Sequence, residues 1–324
     1  MNGIMSRKLA SLGIFLNQLQ TRYHKREFLS SDPLEFVYQY TNPLDQEAVA
    51  LLAAVLAYGN VKQIRRSVKD ALTRMEHLAV SPSNFVRSLG SENSGNSKAC
   101  AAAKQAFSTF VHRFNRGEDL LLLMRLLALS WEKHGSLGGH FLIYLEEASP
   151  TITDALTQLI AEWREWAGKD RPESFEYLLT SPADGSCCKR WCMFLRWMGR
   201  RDDLDPGLWT RGSLLEPTFP KGRSLKSHQL ILPLDTHTGR ISQYLGLTQR
   251  KTLNWKAALE ITENLGLCDS SDPTRYDFAL SRLGILDLCQ RRYRQEICEQ
   301  CQLVTVCKFA SRKRNPAASR RVKV

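Results

Sequence analysis

Apolar residues recur at helical spacing along most of the chain. In NPLDQEAVALLAAVLAYGN (residues 42–60), Val49, Leu52 and Leu56 fall on one face. Asn42 then supplies an N-cap, and Pro43 takes the first helical position, where its missing N–H is no loss. The same period predicts helices in NFVRSL, KACAAAKQAFSTFVHRF, LLLLMRLLALSWEKH, TDALTQLIAEWREWA, ESFEYLL, CKRWCMFLRWM and TLNWKAALEITENL. DPTRYDFALSRLGILDLC predicts one more, opening at Asp272 and Pro273 and running to Cys289. The strict alternation of a half-buried strand is nearly absent. The pattern is that of an all-α fold.

Two stretches break the helical period. GSENSGNS (90–97) is polar and rich in Gly and Ser, the composition of a mobile loop. Residues 200–229 carry Pro206, Pro217 and Pro220 with little periodicity, which marks a long insertion. The end, SRKRNPAASRRVKV, is basic and poor in apolar residues, as disordered tails are. These breaks divide the chain into an N-terminal helical segment (1–41), a helical domain (42–180), a C-terminal region (181–308) and a disordered tail (309–324).

Charge narrows the class of partner. Lys and Arg number 45 against 33 Asp and Glu, a net charge of +12, which favours a polyanion. The longest apolar run, LLLLMRLLAL at 120–129, is too short to span a bilayer and contains Arg125. LASLGIFL at 9–16 is broken by Ser and Gly and lacks a small-residue cleavage site, so it does not read as a secretory leader. Nine cysteines without an export signal point to a reducing, cytoplasmic setting, where clustered thiols bind metal more often than they pair.

Four of those cysteines carry the strongest chemical signal. Cys289, Cys298, Cys301 and Cys307 are spaced C-x8-C-x2-C-x5-C inside a basic run. Four thiolates in so short a segment can close a tetrahedral zinc site or hold an iron–sulfur cluster, and spacing alone does not separate the two. Cys100, Cys187, Cys188, Cys192 and Cys268 lie in or beside apolar helical stretches and read as core.

Upstream of the cysteine run stands LPLDTHTGRISQYLGL (232–247), followed by one helix and then another leading to Cys289. With LDTHTGR, FALSRLGILDLC and the C-x2-C-x5-C spacing, the region 182–308 resembles the helix-hairpin-helix DNA glycosylases that carry an iron–sulfur cluster, such as endonuclease III and the adenine glycosylases. The first cysteine spacing is longer here by two residues than in those enzymes. The resemblance implies a helix-hairpin-helix glycosylase-like fold with a C-terminal four-cysteine loop holding [4Fe–4S]. It implies double-stranded DNA as partner, bound by a monomer, and hydrolysis of an N-glycosidic bond during base excision repair. Over its full length the chain resembles a bacterial family of similar length with no assigned reaction.

Carried over residue by residue, the resemblance makes Asp235 the catalytic carboxylate, with an N-cap role compatible with that use. His237 is expected to pack or hydrogen-bond near the motif, and Arg240 to pair with a carboxylate or touch a phosphate. The hairpin falls on SPADGS, so that Gly185 and Ser186 would offer backbone N–H groups to a phosphate, with Arg190 beside them. Lys189 is the nearest counterpart of the lysine used by strand-cleaving members. It follows Gly185 by four residues rather than two, and Ala183 replaces the first hairpin glycine. Asn60 or Gln63 would fill the gap left by a flipped base, against a plain helix C-cap role for Asn60. Among the aromatics, Trp209 in the insertion is favoured over Tyr58, Trp191 and Trp197 as a pocket residue. Basic residues Lys189, Arg190, Arg291, Arg292 and Arg294 are the expected phosphate contacts. Two rivals share these observations: a non-catalytic lesion-sensing protein on the same scaffold, and a zinc-stabilised helical RNA-binding protein.

Overall fold

The computed structural model describes residues 3–90 and 97–314. Within them the regular elements are helices apart from one small hairpin. Thus residues 91–96 of the polar loop and 315–324 of the basic tail lie outside the described residues.

The centre of the molecule is α2 (Pro43–Val55), which begins at the Asn42 cap: its side chain accepts from the Leu44 and Asp45 N–H groups. From Glu47 to Val55 every residue of α2 is buried, so this helix is apolar all round and must be wrapped on all sides. Its wrapping comes from the 3-10 turns at Pro33–Gln39, from α3 (Val61–Leu78), α4 (Pro82–Ser88) and α6 (Gly117–His134), and from α10 (Lys189–Gly199). A helix before this, α1 (Gly3–Tyr23), crosses to the far end of the chain. It packs on α12 (Trp255–Gly266) and α13 (Asp277–Ile285), burying Leu16 and Leu19. The remaining elements are α5 (Ser97–Phe107), the strands β1 (Val111–His112) and β2 (Asn115–Arg116), α7 (Leu137–Tyr144), α8 (Thr153–Ala167), α9 (Glu173–Glu176), α11 (Thr236–Leu245), α14 (Gln295–Cys298) and α15 (Lys308–Arg314). Among the described residues no helix is long and apolar enough to cross a membrane.

Several expectations need correcting. The stretch KACAAAKQAFSTFVHRF is helical only to Phe107; Val111 and His112 then pair with Arg116 and Asn115 as an antiparallel hairpin. The last long helix opens at Asp277 rather than Asp272, because the Asp272 carboxylate is engaged by Arg200 and Thr274 instead of capping a helix. It stops at Ile285, well before Cys289, as Asp287 turns the chain at a φ of 56°. The tail expected to be disordered from 309 continues as α15 through Arg314, where Phe309 stacks on Tyr244.

The 200–229 insertion is ordered and belongs to the core. Its Trp209 is fully buried and donates its Nε1–H to Glu47 Oε1 at 2.7 Å. Glu47, itself wholly buried in α2, accepts three more bonds: from Trp131 Nε1 (2.6 Å), Leu137 N (2.9 Å) and Gly138 N (3.0 Å). Four donors thus converge on two carboxylate oxygens and tie together α2, α6, the start of α7 and the insertion. Trp209 is therefore a core residue and not part of a pocket, and Trp191 and Trp197 are buried as well.

Candidate functional site

A cleft of about 710 Å³ is lined by residues from most of the chain, among them Asp235, His237, Lys189 and Asn60. The volume is that of a small-ligand site. Four residues singled out from three separate stretches of sequence therefore share one cavity, joined by Asp32, Arg113, Arg196, Asp277 and Arg282.

Each side chain is delivered by the end of an element. Asp235 is the N-cap of α11, and its Oδ1 accepts from the His237 and Thr238 N–H groups, both at 2.8 Å. Among the described residues Oδ2 has no hydrogen-bond partner, so half of the carboxylate remains available to a ligand. Gly284 of α13 allows His237 to come close: a Cβ there would stand 2.5 Å from the His237 Cβ. Lys189 is the first residue of α10, entered through Cys188 at a φ of 46°, and its Nζ donates to the Ala57 carbonyl at 3.0 Å. Asn60 caps the start of α3, accepting from Gln63 N at 2.8 Å, so it is an N-cap rather than a C-cap.

Beneath the cleft lies a buried ionic network that sequence reasoning missed. Arg196 donates to Asp277 Oδ2 (2.5 Å) and Asp205 Oδ1 (3.1 Å), Arg200 reaches Asp205, Asp202 and Asp272, and Arg282 reaches Asp32 at 2.9 Å. Burial pushes the Asp277 carboxyl up to about 6 against the pull of Arg196, and the nearby charge of Asp235 adds to the push. No local pattern announces such a network, because its partners are scattered from Asp32 to Arg282. The only signal was an unusual density of Asp and Arg in RRDDLD.

Other predicted DNA contacts sit elsewhere. Arg190 is buried: it donates to the carbonyls of Val55 and Tyr177 and lies over the rings of Tyr177 and Tyr58, which removes it from any phosphate-facing surface. Gly185 adopts a φ of 72° in an exposed turn after the 3-10 segment Pro182–Asp184, and its carbonyl accepts from Trp255 N. The Ser186 hydroxyl accepts from Cys188 N. Both belong to the turn leading into α10 and are not cleft residues. Arg240 is taken up by the cysteine region: its Nη2 donates to the Cys289 carbonyl at 2.6 Å, with the His237 ring at 3.4 Å.

Cys289, Cys298, Cys301 and Cys307 line a single small cavity of about 40 Å³, walled by Ile241, Tyr244 and Leu245 of α11 and by Leu283, Leu303 and Phe309. Among the described residues no three His, Cys, Asp or Glu side chains are gathered as a ready-made site for a metal ion. The donor chemistry nonetheless fits a sulfur-bound group. Burial pushes the Cys289 thiol up to about 11, with the other three cysteines adding to the rise against Arg240, and burial raises Cys301 and Cys307 as well. A cationic centre reverses that balance by binding the thiolates directly. The cavity shares α11 with the cleft, so the cysteine region buttresses the helix that Asp235 caps.

No curated protein and no solved structure matches the chain. A family model described as protein of unknown function (DUF2400) matches residues 32–286, which takes in Asp32, Asp235 and Asp277 and ends before Cys289; the chain belongs to that family.

Proposed function

We propose that this protein is a helix-hairpin-helix glycosylase-like enzyme that hydrolyses the N-glycosidic bond of a damaged or mispaired base in double-stranded DNA, as part of base excision repair in the cytoplasm. The observation that carries this reading is the meeting of Asp235, Lys189 and Asn60 in one cleft, with one Asp235 oxygen held and the other uncommitted. Departure of a base leaves positive charge on the sugar. A fixed carboxylate stabilises that charge and orients water toward the same carbon. Because no duplex exposes the sugar–base bond, the nucleotide must first be turned out into the cleft. Lys189, for which no carboxylate partner exists among the described residues, then neutralises a flanking phosphate.

In this reading Cys289, Cys298, Cys301 and Cys307 hold [4Fe–4S]. Four thiols lining one cavity supply the all-sulfur donor set that such a cluster takes. The group would supply structural closure of a segment containing little regular structure. Protein purified anaerobically is expected to be brown and to contain iron, and Cys298→Ser to lose both the colour and part of the thermal stability. Colourless protein with stoichiometric zinc would contradict the cluster assignment.

The reaction is expected to be plain hydrolysis. The offset of Lys189 from Gly185 differs from that of strand-cleaving enzymes, and one N–H of its ammonium group donates to the Ala57 carbonyl. Borohydride added during turnover of damaged DNA should therefore trap no adduct. Lys189→Gln should weaken DNA binding only a few-fold, on the order of one phosphate contact. An adduct that forms with the natural chain and vanishes in Lys189→Gln would show a covalent route.

A further inference from the structure

The β1–β2 hairpin is held with unusual firmness for so small an element. His112 and Asn115 flank its two-residue tip and both are fully buried. The His112 ring bonds the Ser67 hydroxyl (2.8 Å) and the Tyr58 carbonyl (3.1 Å). Asn115 donates to Asp119 (2.9 Å) and to the Ser174 carbonyl (2.8 Å), and its Oδ1 accepts from the Tyr58 hydroxyl at 2.6 Å.

The tip itself is built against local preference. A two-residue hairpin loop favours Gly or Asn where φ is positive, yet Arg113 stands there with a φ of 57°. Strain of this kind persists only where the surroundings over-determine it, and it gathers at functional sites. Gly59, at a φ of 98°, gives the Arg113 side chain its room: a Cβ there would meet the Arg113 Nη1 at 3.3 Å. Arg113 lines the same cleft as Asp235 and has no carboxylate partner among the described residues.

Beside it, large aromatic rings are left in solvent. Phe114 is 46% exposed and Tyr177 39% exposed, their centroids 4.6 Å apart, and Tyr58 completes the cluster at 5.4 Å from Phe114. Under these rings sits Arg190, only 6% exposed, its guanidinium 3.9 Å from the Tyr177 centroid and bonded to two carbonyls rather than to an acid. A buried cation under exposed rings, with Arg113 at the rim over the Tyr58 ring, complements a flat aromatic group attached to an anion.

We propose that the hairpin tip is a nucleobase platform. An unstacked base next to the target nucleotide stacks on Phe114, whose ring meets Tyr177 edge-on at 80°, while Arg113 takes the phosphate that leads into the cleft. This assignment rests on the nucleic-acid reading above, but its residues are separate from Asp235. The probe is a duplex carrying an abasic-site analogue with a neighbouring unpaired 2-aminopurine, titrated with the full chain. Stacking on the platform is expected to quench the 2-aminopurine fluorescence. Phe114→Ala should abolish the quenching and weaken binding by about 10-fold, while Phe114→Trp retains both. Arg113→Gly relieves the backbone strain, so its melting temperature should not fall. Its affinity should nevertheless drop, with the slope of log K against log salt shallower by about one. Quenching and affinity unchanged in Phe114→Ala and Arg113→Gly would overturn the platform and leave the role of Asp235 standing. Failure of the natural chain to bind any DNA would overturn both.

Discussion

Asp235→Asn is expected to lower base release by about 10²- to 10⁴-fold while leaving DNA affinity within a few-fold of the natural chain. The substitution is nearly isosteric, and an Asn side-chain oxygen still caps α11 by accepting from the His237 and Thr238 N–H groups. What it removes is negative charge at a cleft carboxylate that, among the described residues, is held only by backbone N–H groups and has no cationic partner. Asp32 and Asp277 line the same cleft, but both are already committed to Arg282 and Arg196. A loss of folding would show as a lowered melting temperature, so stability measured alongside separates the two causes. Equal rates for Asp235→Asn and the natural chain would sink the catalytic assignment.

Glu47→Ala is expected to destabilise the fold by about 4 kcal/mol or more, a large part of the roughly 5–15 kcal/mol typical of a whole domain. The change leaves two indole N–H groups and two backbone N–H groups buried without an acceptor, and opens a cavity among them. Glu47→Gln keeps the shape but turns an amide NH2 toward two donors, so it should recover only part of the loss. Urea denaturation measures both. An unfolding free energy for Glu47→Ala within about 1 kcal/mol of the natural chain would mean that these groups find other partners.

The contrast between these two residues shows what the sequence made legible. Asp235 stands in a local pattern, an acidic residue immediately ahead of an amphipathic helix, and its capping role follows from neighbours along the chain. The Asn42–Pro43 helix start was readable for the same reason. Glu47 looks like an ordinary surface glutamate in the first turns of a helix; its donors lie at Trp131, Leu137, Gly138 and Trp209, and no local period reports them. Arg190 misled for a related cause. On a basic helix it resembles a phosphate contact, but the aromatic side chains of Tyr58 and Tyr177 close over it from distant segments. Asp272–Pro273 offered a good helix start, and a long-range bond to Arg200 displaced it. The hairpin at Arg113 was hidden because two-residue strands are too short to show alternation.

The cleft was legible in part. Asp235, Lys189 and Asn60 were named from separate motifs, and their meeting is a property of the fold. The Arg196–Asp277–Asp205 network beneath them was not legible, since charged residues on predicted helices are read as solvated until packing buries them.

Chromatographic detection of free bases decides the matter most directly. Duplexes carrying a panel of oxidised, alkylated, deaminated and mispaired bases are incubated with anaerobically purified protein, and the released bases are separated and identified. The account predicts that at least one base appears, at a rate that collapses in Asp235→Asn. Tight binding of these duplexes with no base released from any of them would contradict it and leave a lesion-sensing protein in its place.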